Sequence, residues 1–265
     1  NKKGYGCILK KILIVNWRDI KNPEAGGAEI YYHEIFRRIN GDEISVTVLA
    51  HGFTGGLREE IVDGIKVIRI GNKFLFNFSA MIWIWKHQHE FDLVVEDINK
   101  IPFLTPLYVK RKRLHMVMHF FKGSIYKETN ILFATYVYLM ERMVSLFYKK
   151  DAFIAISEST KKDIEHFGIH GRQISIVEPG IDTTYFYPTV EKSTPPILSY
   201  IGRLMKYKNV QFIINALPEL RRRVPGIIFE AAGSGDYLEE LKKTARKAGV
   251  EDCVIFPGRI SEQQK

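Results

Sequence analysis

Short apolar runs alternate with longer amphipathic stretches along the chain. The runs KILIVNW (11–17), ISVTVLA (44–50), IKVIRI (65–70), FDLVVE (91–96), LHMVMHF (114–120), DAFIAIS (151–157) and QISIVEPG (173–180) are rich in β-branched residues and of strand length. Between them, 27–39, 79–90, 131–150 and 157–167 carry apolar residues at helical spacing. Ser157 and Ser159 stand where an N-cap would accept the first free amides. Strands that alternate with helices predict a parallel, doubly wound α/β sheet with helices on both faces.

The pattern breaks at YFYPTVEKSTPP (185–196), which has no periodicity and reads as a linker. It then restarts: strand 197–202, helix 209–222, strand 227–232, helix 236–248, strand 253–256. This divides the chain into a domain over 1–187 and the start of a second over 188–265. The second has too few strands for a closed doubly wound domain, which predicts that the chain is a fragment.

Composition changes the picture modestly. Of the 265 residues, 46% are hydrophobic, enough for a real core, so disorder is not expected. A net charge of +9 favours an anionic partner without choosing among phosphate, nucleic acid and membrane. No nucleic-acid module signature is present, so no nucleic-acid partner is expected. Cys7 and Cys253 show no metal or redox spacing, which reads as a reduced, cytoplasmic compartment. The apolar run after the basic start is too short for a signal peptide.

Several constellations could carry chemistry. Gly26 and Gly27 follow the first strand and open a helix, where free amides and the dipole suit a phosphate or a sugar hydroxyl; the same residues would serve in a plain tight turn. Residues 98–127 hold Lys100, Lys110, Arg111, Lys112, Arg113, Lys122 and Lys127 and no acidic residue, and an aromatic-rich stretch follows. Segment 98–150 therefore reads either as a peripheral dock for an anionic membrane surface or as core with a solvated loop. His115 and His119, four apart on a predicted strand, would share one face; neither has ligand partners at metal spacing. His119 would end its strand, where open α/β sheets place ligands. Gly233 and Gly235 form another strand–helix turn, with Asp236 as an expected N-cap. Finally, in YIGRLMKYKN (200–209), Arg203 follows Gly202 at a strand end and Lys208 begins the next helix. An Arg fork plus a Lys point charge can hold a phosphate, though both also suit a solvated helix flank.

Taken in order, AGGAEIYYHEI, the strand ending in His119, AISESTKKDI, IVEPGIDTTYFYP, YIGRLMKYKNVQFIINAL, AAGSGDYLEEL and VIFPGRIS resemble the group 1, family 4 glycosyltransferases, over residues 11–265. The resemblance implies the GT-B fold: two Rossmann-like domains with parallel sheets, the second holding a nucleotide-diphosphate sugar and here incomplete. It implies that Arg203 and Lys208 grip the donor diphosphate and that His119 lies near the transferred sugar. Gly26, Gly27, Gly202, Gly233, Gly258, Arg259 and Ile260 would line the donor site. Sugar would pass to an acceptor hydroxyl with retained anomeric configuration, without a metal or other cofactor. A sugar or lipid-linked acceptor, as in cell-envelope glycan assembly, and a peripheral place on the cytoplasmic membrane face are the expected context.

The sequence departs from the family pattern at Asn209, where Gly is usual, and at Glu178, where Asn is common. The family's glutamate pair, seven residues apart, falls beyond Lys265. A chain ending there is therefore expected to bind donor poorly and to transfer no sugar, unlike a longer native form. The alternatives are a GT-B-like sugar-nucleotide epimerase or hydrolase, and a non-catalytic membrane- or partner-binding fragment.

Overall fold

The computed structural model describes residues 10–99, 101–127, 129–187, 192–261 and 263–264. Cys7 and Lys100 lie outside them. The chain divides into two compact units, Asn1–Gly180 and Ile181–Lys265.

The first unit is built on an eight-stranded sheet. Its strands are β1 (Lys10–Val15), β2 (Ile44–His51), β3 (Glu59–Val62), β4 (Ile65–Ile70), β5 (Leu93–Ile98), β6 (Lys112–Val117), β7 (Ala152–Ala155) and β8 (Ile174–Ile176), in the order β3-β4-β2-β1-β5-β6-β7-β8. Every pairing is parallel except β3 with β4. The β3–β4 hairpin was not expected. Its turn is Asp63-Gly64, with φ of 48° and 83°, and an Asp-Gly pair between alternating apolar residues is a strong hairpin signal.

Helix α1 (Gly27–Ile39) covers one face, where Tyr31, Tyr32 and Phe36 pack on Ile12, Ile14 and Val95. The other face carries α2 (Phe76–His87), α3 (Ile131–Phe147) and α4 (Glu158–His166). Phe76 and Ile84 pack on Leu13 and Val15, and Val144, Tyr148 and Ile164 pack near Phe153. The Ser157 cap expected for α4 is present, its Oγ accepting from the Thr160 amide at 3.2 Å.

In the second unit β9 (Ile197–Ile201), β10 (Ile228–Ala232) and β11 (Val254–Gly258) form a parallel sheet in the order β11-β10-β9. Helices α5 (Val210–Arg223) and α6 (Leu238–Lys247) bury Ile214, Leu217, Leu241 and Ala245 against Phe229 and Ala231. Cys253 sits in this core as a buried thiol. Asp236 does not cap α6: Tyr237 occupies the cap position and no side chain bonds there.

Candidate functional site

In the second unit the loops after all three strands close on one another through backbone. The Gly202 amide donates to the Ala232 carbonyl (3.0 Å), the Gly233 amide to Gly258 (2.7 Å) and the Leu204 amide to Ser234 (3.0 Å). A Cβ on Gly233 would lie 1.8 Å from the Gly202 oxygen, and one on Gly235 would lie 2.2 Å from the Leu204 oxygen. Glycine is required here because two main chains meet. Gly202 and Gly233, noted at separate turns of the sequence, and Gly258, implied by the resemblance, thus form one cradle at the carboxyl ends of the strands, where open α/β sheets receive ligands.

Arg203 and Lys208 flank the cradle, both exposed. The backbone beneath Arg203 is fixed: its carbonyl accepts from Tyr200 Oη at 2.9 Å. Lys208 ends a short 3₁₀ turn, with its Nζ 5.2 Å from the Tyr207 ring centroid. Asn209 follows in the left-handed region at φ 58°, ψ 25°, and α5 starts at Val210. That conformation explains why Gly is usual there and why Asn substitutes with little strain. Arg259 is exposed and Ile260 half-buried just past Gly258.

In the first unit, β1 and β5 are the neighbours at which strand order reverses, so the crevice opens above their carboxyl ends. The loop 16–26 crosses it and leads to Gly26 and Gly27. It is pinned from beneath by a buried ion pair: Arg69 Nε and an Nη reach the two Asp19 oxygens, both at 2.7 Å. Glu29, buried in the first turn of α1, accepts from the Gly26 amide at 2.7 Å. Space around a Cβ at Gly27 is open. Below the loop is a small cavity of about 20 Å³ lined by Asn16, Arg18, Glu29 and Tyr32. At its edge Tyr32 Oη donates to Asp97 at 2.6 Å, and burial pushes the Asp97 carboxyl up to about 8.

His119 lies elsewhere than expected. β6 ends at Val117, so His119 sits in the loop beyond it, exposed, with its ring 4.5 Å from Phe121. His115 and His119 therefore do not share a face: His115 is fully buried within β6. The chain leaves the sheet early because Phe120 and Phe121 turn inward. The His119 loop is held on both sides. Thr160 Oγ1 donates to the Met118 carbonyl (3.0 Å), and the Glu141 carboxylate accepts from the Phe121 and Lys122 amides (2.7 and 2.8 Å). Gly26, Gly27 and His119 thus stand at the carboxyl edge of one sheet, with β5 between them.

A buried polar network was missed in the sequence. Glu96 accepts from the Phe103 amide (2.7 Å), Tyr148 Oη (2.8 Å) and Thr105 Oγ1, fixing the loop after β5. His115 Nδ1 lies 3.3 Å from Glu96, and Nε2 lies 2.9 Å from Asp151, which Arg113 also grips. Burial alone would lower the His115 pKa, but Asp151 and Glu96 outweigh it and the net direction is up. Burial opposes ionisation of Asp151, yet His115 and Arg113 bring it down to about 2. Arg113, counted among the seven cations of 98–127, is thus committed inward. A parallel-strand pattern such as LVVEDI hides such residues, since both faces of the strand are buried. Among the described residues no group of three or more His, Cys, Asp or Glu could hold a metal. Among the same residues no helix is long and apolar enough to cross a membrane.

The architecture is that of the GT-B glycosyltransferases. Anabaena Alr3699/HepE, crystallised with UDP and glucose, superposes with a TM-score of 0.66 at 18% identity, over 95% of this chain and 70% of its own. The model of Glycosyltransferase Family 4 matches residues 25–185, and that of Glycosyl transferases group 1 matches 182–265. The chain belongs to glycosyltransferase family 4. An uncharacterized glycosyltransferase of Methanocaldococcus jannaschii is 24% identical over 282 aligned positions, 95% of this chain and 71% of the relative. The GDP-mannose-dependent alpha-(1-6)-phosphatidylinositol monomannoside mannosyltransferase of Mycolicibacterium smegmatis is 34% identical over 96 residues, 32% of this chain. That match spans only 25% of the mycobacterial enzyme.

Proposed function

We propose that this chain is the acceptor-side unit and part of the donor-side unit of an enzyme that moves a hexose from a nucleotide-diphosphate sugar to an acceptor hydroxyl, with retention and without a metal. The observation that carries the reading is the backbone-closed cradle of Gly202, Gly233 and Gly258, flanked by Arg203 and Lys208. A cradle of main-chain loops lets a diphosphate approach without side-chain obstruction. Arg203 and Lys208 stabilise the charge that grows on the leaving diphosphate more than that of the bound donor, which lowers the barrier selectively. The loop holding Gly26 and Gly27 and the loop holding His119 position acceptor and transferred sugar; His119 acts at the sugar and takes no lasting covalent bond. Arg259 and Ile260 border the nucleobase end. The acceptor is a sugar or lipid-linked glycan, a reading supported by the phosphatidylinositol mannoside in the mycobacterial relative's name.

The test uses the full gene product with UDP-, GDP- and ADP-hexoses, a lipid-linked and a soluble acceptor, and NMR of the product linkage. Transfer with the donor's anomeric configuration, unaffected by EDTA, is expected. Arg203→Ala and Lys208→Ala should each lower kcat/KM by ~10²-fold or more, the scale of one lost transition-state charge contact. Inverted product, or an epimerised or hydrolysed donor formed without acceptor, would overturn the reading.

A further inference from the structure

We propose that Glu96 is a positioning residue: it fixes the turn after β5 and, through the Phe103 and Trp17 rings, holds the loop that carries Gly26 and Gly27. Its effect on catalysis rests on the transferase reading, whereas its hold on the loop does not. Glu96 is fully buried in β5. Both of its oxygens are engaged. Oε1 accepts from the Phe103 amide at 2.7 Å and from Tyr148 Oη at 2.8 Å. Oε2 accepts from Thr105 Oγ1 and stands 3.3 Å from His115 Nδ1. These partners come from the turn after β5, from β6 and from the end of α3. A buried acid is costly, and such convergence offsets the cost only while every partner stays in place.

Between the two partners in the turn stands Leu104, at φ 56° and ψ 34°. Leucine enters the left-handed region at a cost and holds it only where its surroundings impose it. Here Phe103 on one side and Thr105 on the other are tied to a single side chain. The tied turn directs the Phe103 ring into the cluster of Leu13, Phe76 and Val94. Its centroid lies 5.5 Å from Phe76 and 5.9 Å from Trp17, and Trp17 lies 5.9 Å from Phe76. Three rings thus close a triangle at separations where aromatic pairs attract. Trp17 stands at the head of the loop 16–26, and its carbonyl accepts from the His51 amide at 3.1 Å. The Asp19–Arg69 pair holds the loop two residues further on. Trp17 is therefore the contact through which the turn after β5 bears on the glycine loop. Because β1 and β5 are the neighbours where strand order reverses, turn and loop flank the same crevice.

The experiment compares the full gene product with Glu96→Gln, Thr105→Val, Phe103→Leu and the last two combined. Thr105→Val keeps the shape of the side chain and removes one donor to Glu96. Hydrogen exchange read by mass spectrometry should quicken ~10-fold over 16–27 in each variant, with β2 and β4 unchanged. At saturating nucleotide sugar, kcat should fall ~10-fold while the donor KM stays the same, a loss of positioning and not of donor grip. Thr105→Ser, which restores the hydroxyl, should restore both readouts, and it serves as the test should Glu96→Gln fail to fold. The combined variant should lose no more than the larger single loss, since both act through one link. Ile84→Val trims the same cluster without touching that link and should leave kcat unchanged. Unchanged exchange over 16–27, additive losses in the combined variant, or an equal loss in Ile84→Val would each overturn the proposal. A parent that transfers no sugar would sink the transferase reading, and the exchange measurement would still decide whether Glu96 holds the loop.

Discussion

Gly233→Ala is the sharpest perturbation of the cradle. The added Cβ would sit 1.8 Å from the Gly202 oxygen, against about 3.4 Å for an ordinary contact, so the two loops must part by roughly 1.6 Å. That displacement strains three hydrogen bonds: Gly202 to Ala232, Gly233 to Gly258 and Leu204 to Ser234. At about 1 kcal/mol each, their loss costs ~3 kcal/mol. Gly233 also has φ 150°, where an alanine adds ~1–3 kcal/mol of backbone strain. The expected destabilisation of the second unit is therefore about 4–6 kcal/mol, most of the stability of a small unit. Hydrogen exchange read by mass spectrometry on the full chain is the assay, because the two units need not unfold together. Amides of β9, β10 and β11 should lose protection while those of β1 and β5 keep theirs. Gly249→Ala is the control: its φ is 66° but nothing lies within 4 Å of the added carbon, so only ~1 kcal/mol is expected. Equal protection in Gly233→Ala and the parent, with unchanged nucleotide affinity, would refute the close approach itself.

Arg69→Met should destabilise the first unit by ~3–5 kcal/mol in chemical denaturation, because it leaves the Asp19 carboxylate buried without its partner. Asp97 holds a proton when folded between pH 3.8 and about 8 that it lacks when unfolded, so stability falls as pH rises through that window. Asp97→Asn should flatten that slope in melting temperature measured from pH 5 to 9; an unchanged slope contradicts a neutral buried Asp97. His115 contributes stability that is complete below its ordinary pKa of 6.5 and is lost as pH rises through its raised folded value, so His115→Gln should narrow the loss on the alkaline side. On the acid side Asp151's contribution is present above 3.8 and fades as pH falls through about 2, and Asp151→Asn should remove that acid-side loss. Asn209→Val should cost ~1–2 kcal/mol, since a β-branched residue must take the left-handed conformation, whereas Asn209→Gly should be near neutral.

The parallel order of the strands was legible because the apolar runs are short and most of them are followed by a helical period. Gly202 was legible at a strand end and Gly233 in a strand–helix turn, whereas Gly258 entered only through the family resemblance. What united them was not: the contact of Gly233 with Gly202 depends on strand order, which spacing alone does not reveal. His119 was placed on the strand because MVMHF continues its apolar character. The structure ends β6 at Val117, since Phe120 and Phe121 find their burial under α3 and α4 instead. The Arg69–Asp19 pair joins residues fifty apart and left no local pattern. The Asp63-Gly64 hairpin did leave one, and it was overlooked because only IKVIRI, after the turn, was read as a strand.

Because the cradle is closed by peptide groups, its shape does not depend on which side chains stand beside it. Ser234, Arg259 and Ile260 project from a frame that their replacement leaves intact. A lineage, or a designer, can therefore change the side chains around the cradle one residue at a time while its main-chain frame stays the same. If the cradle receives the donor as proposed, donor choice and diphosphate grip are separable, carried by different chemical parts of the same three loops.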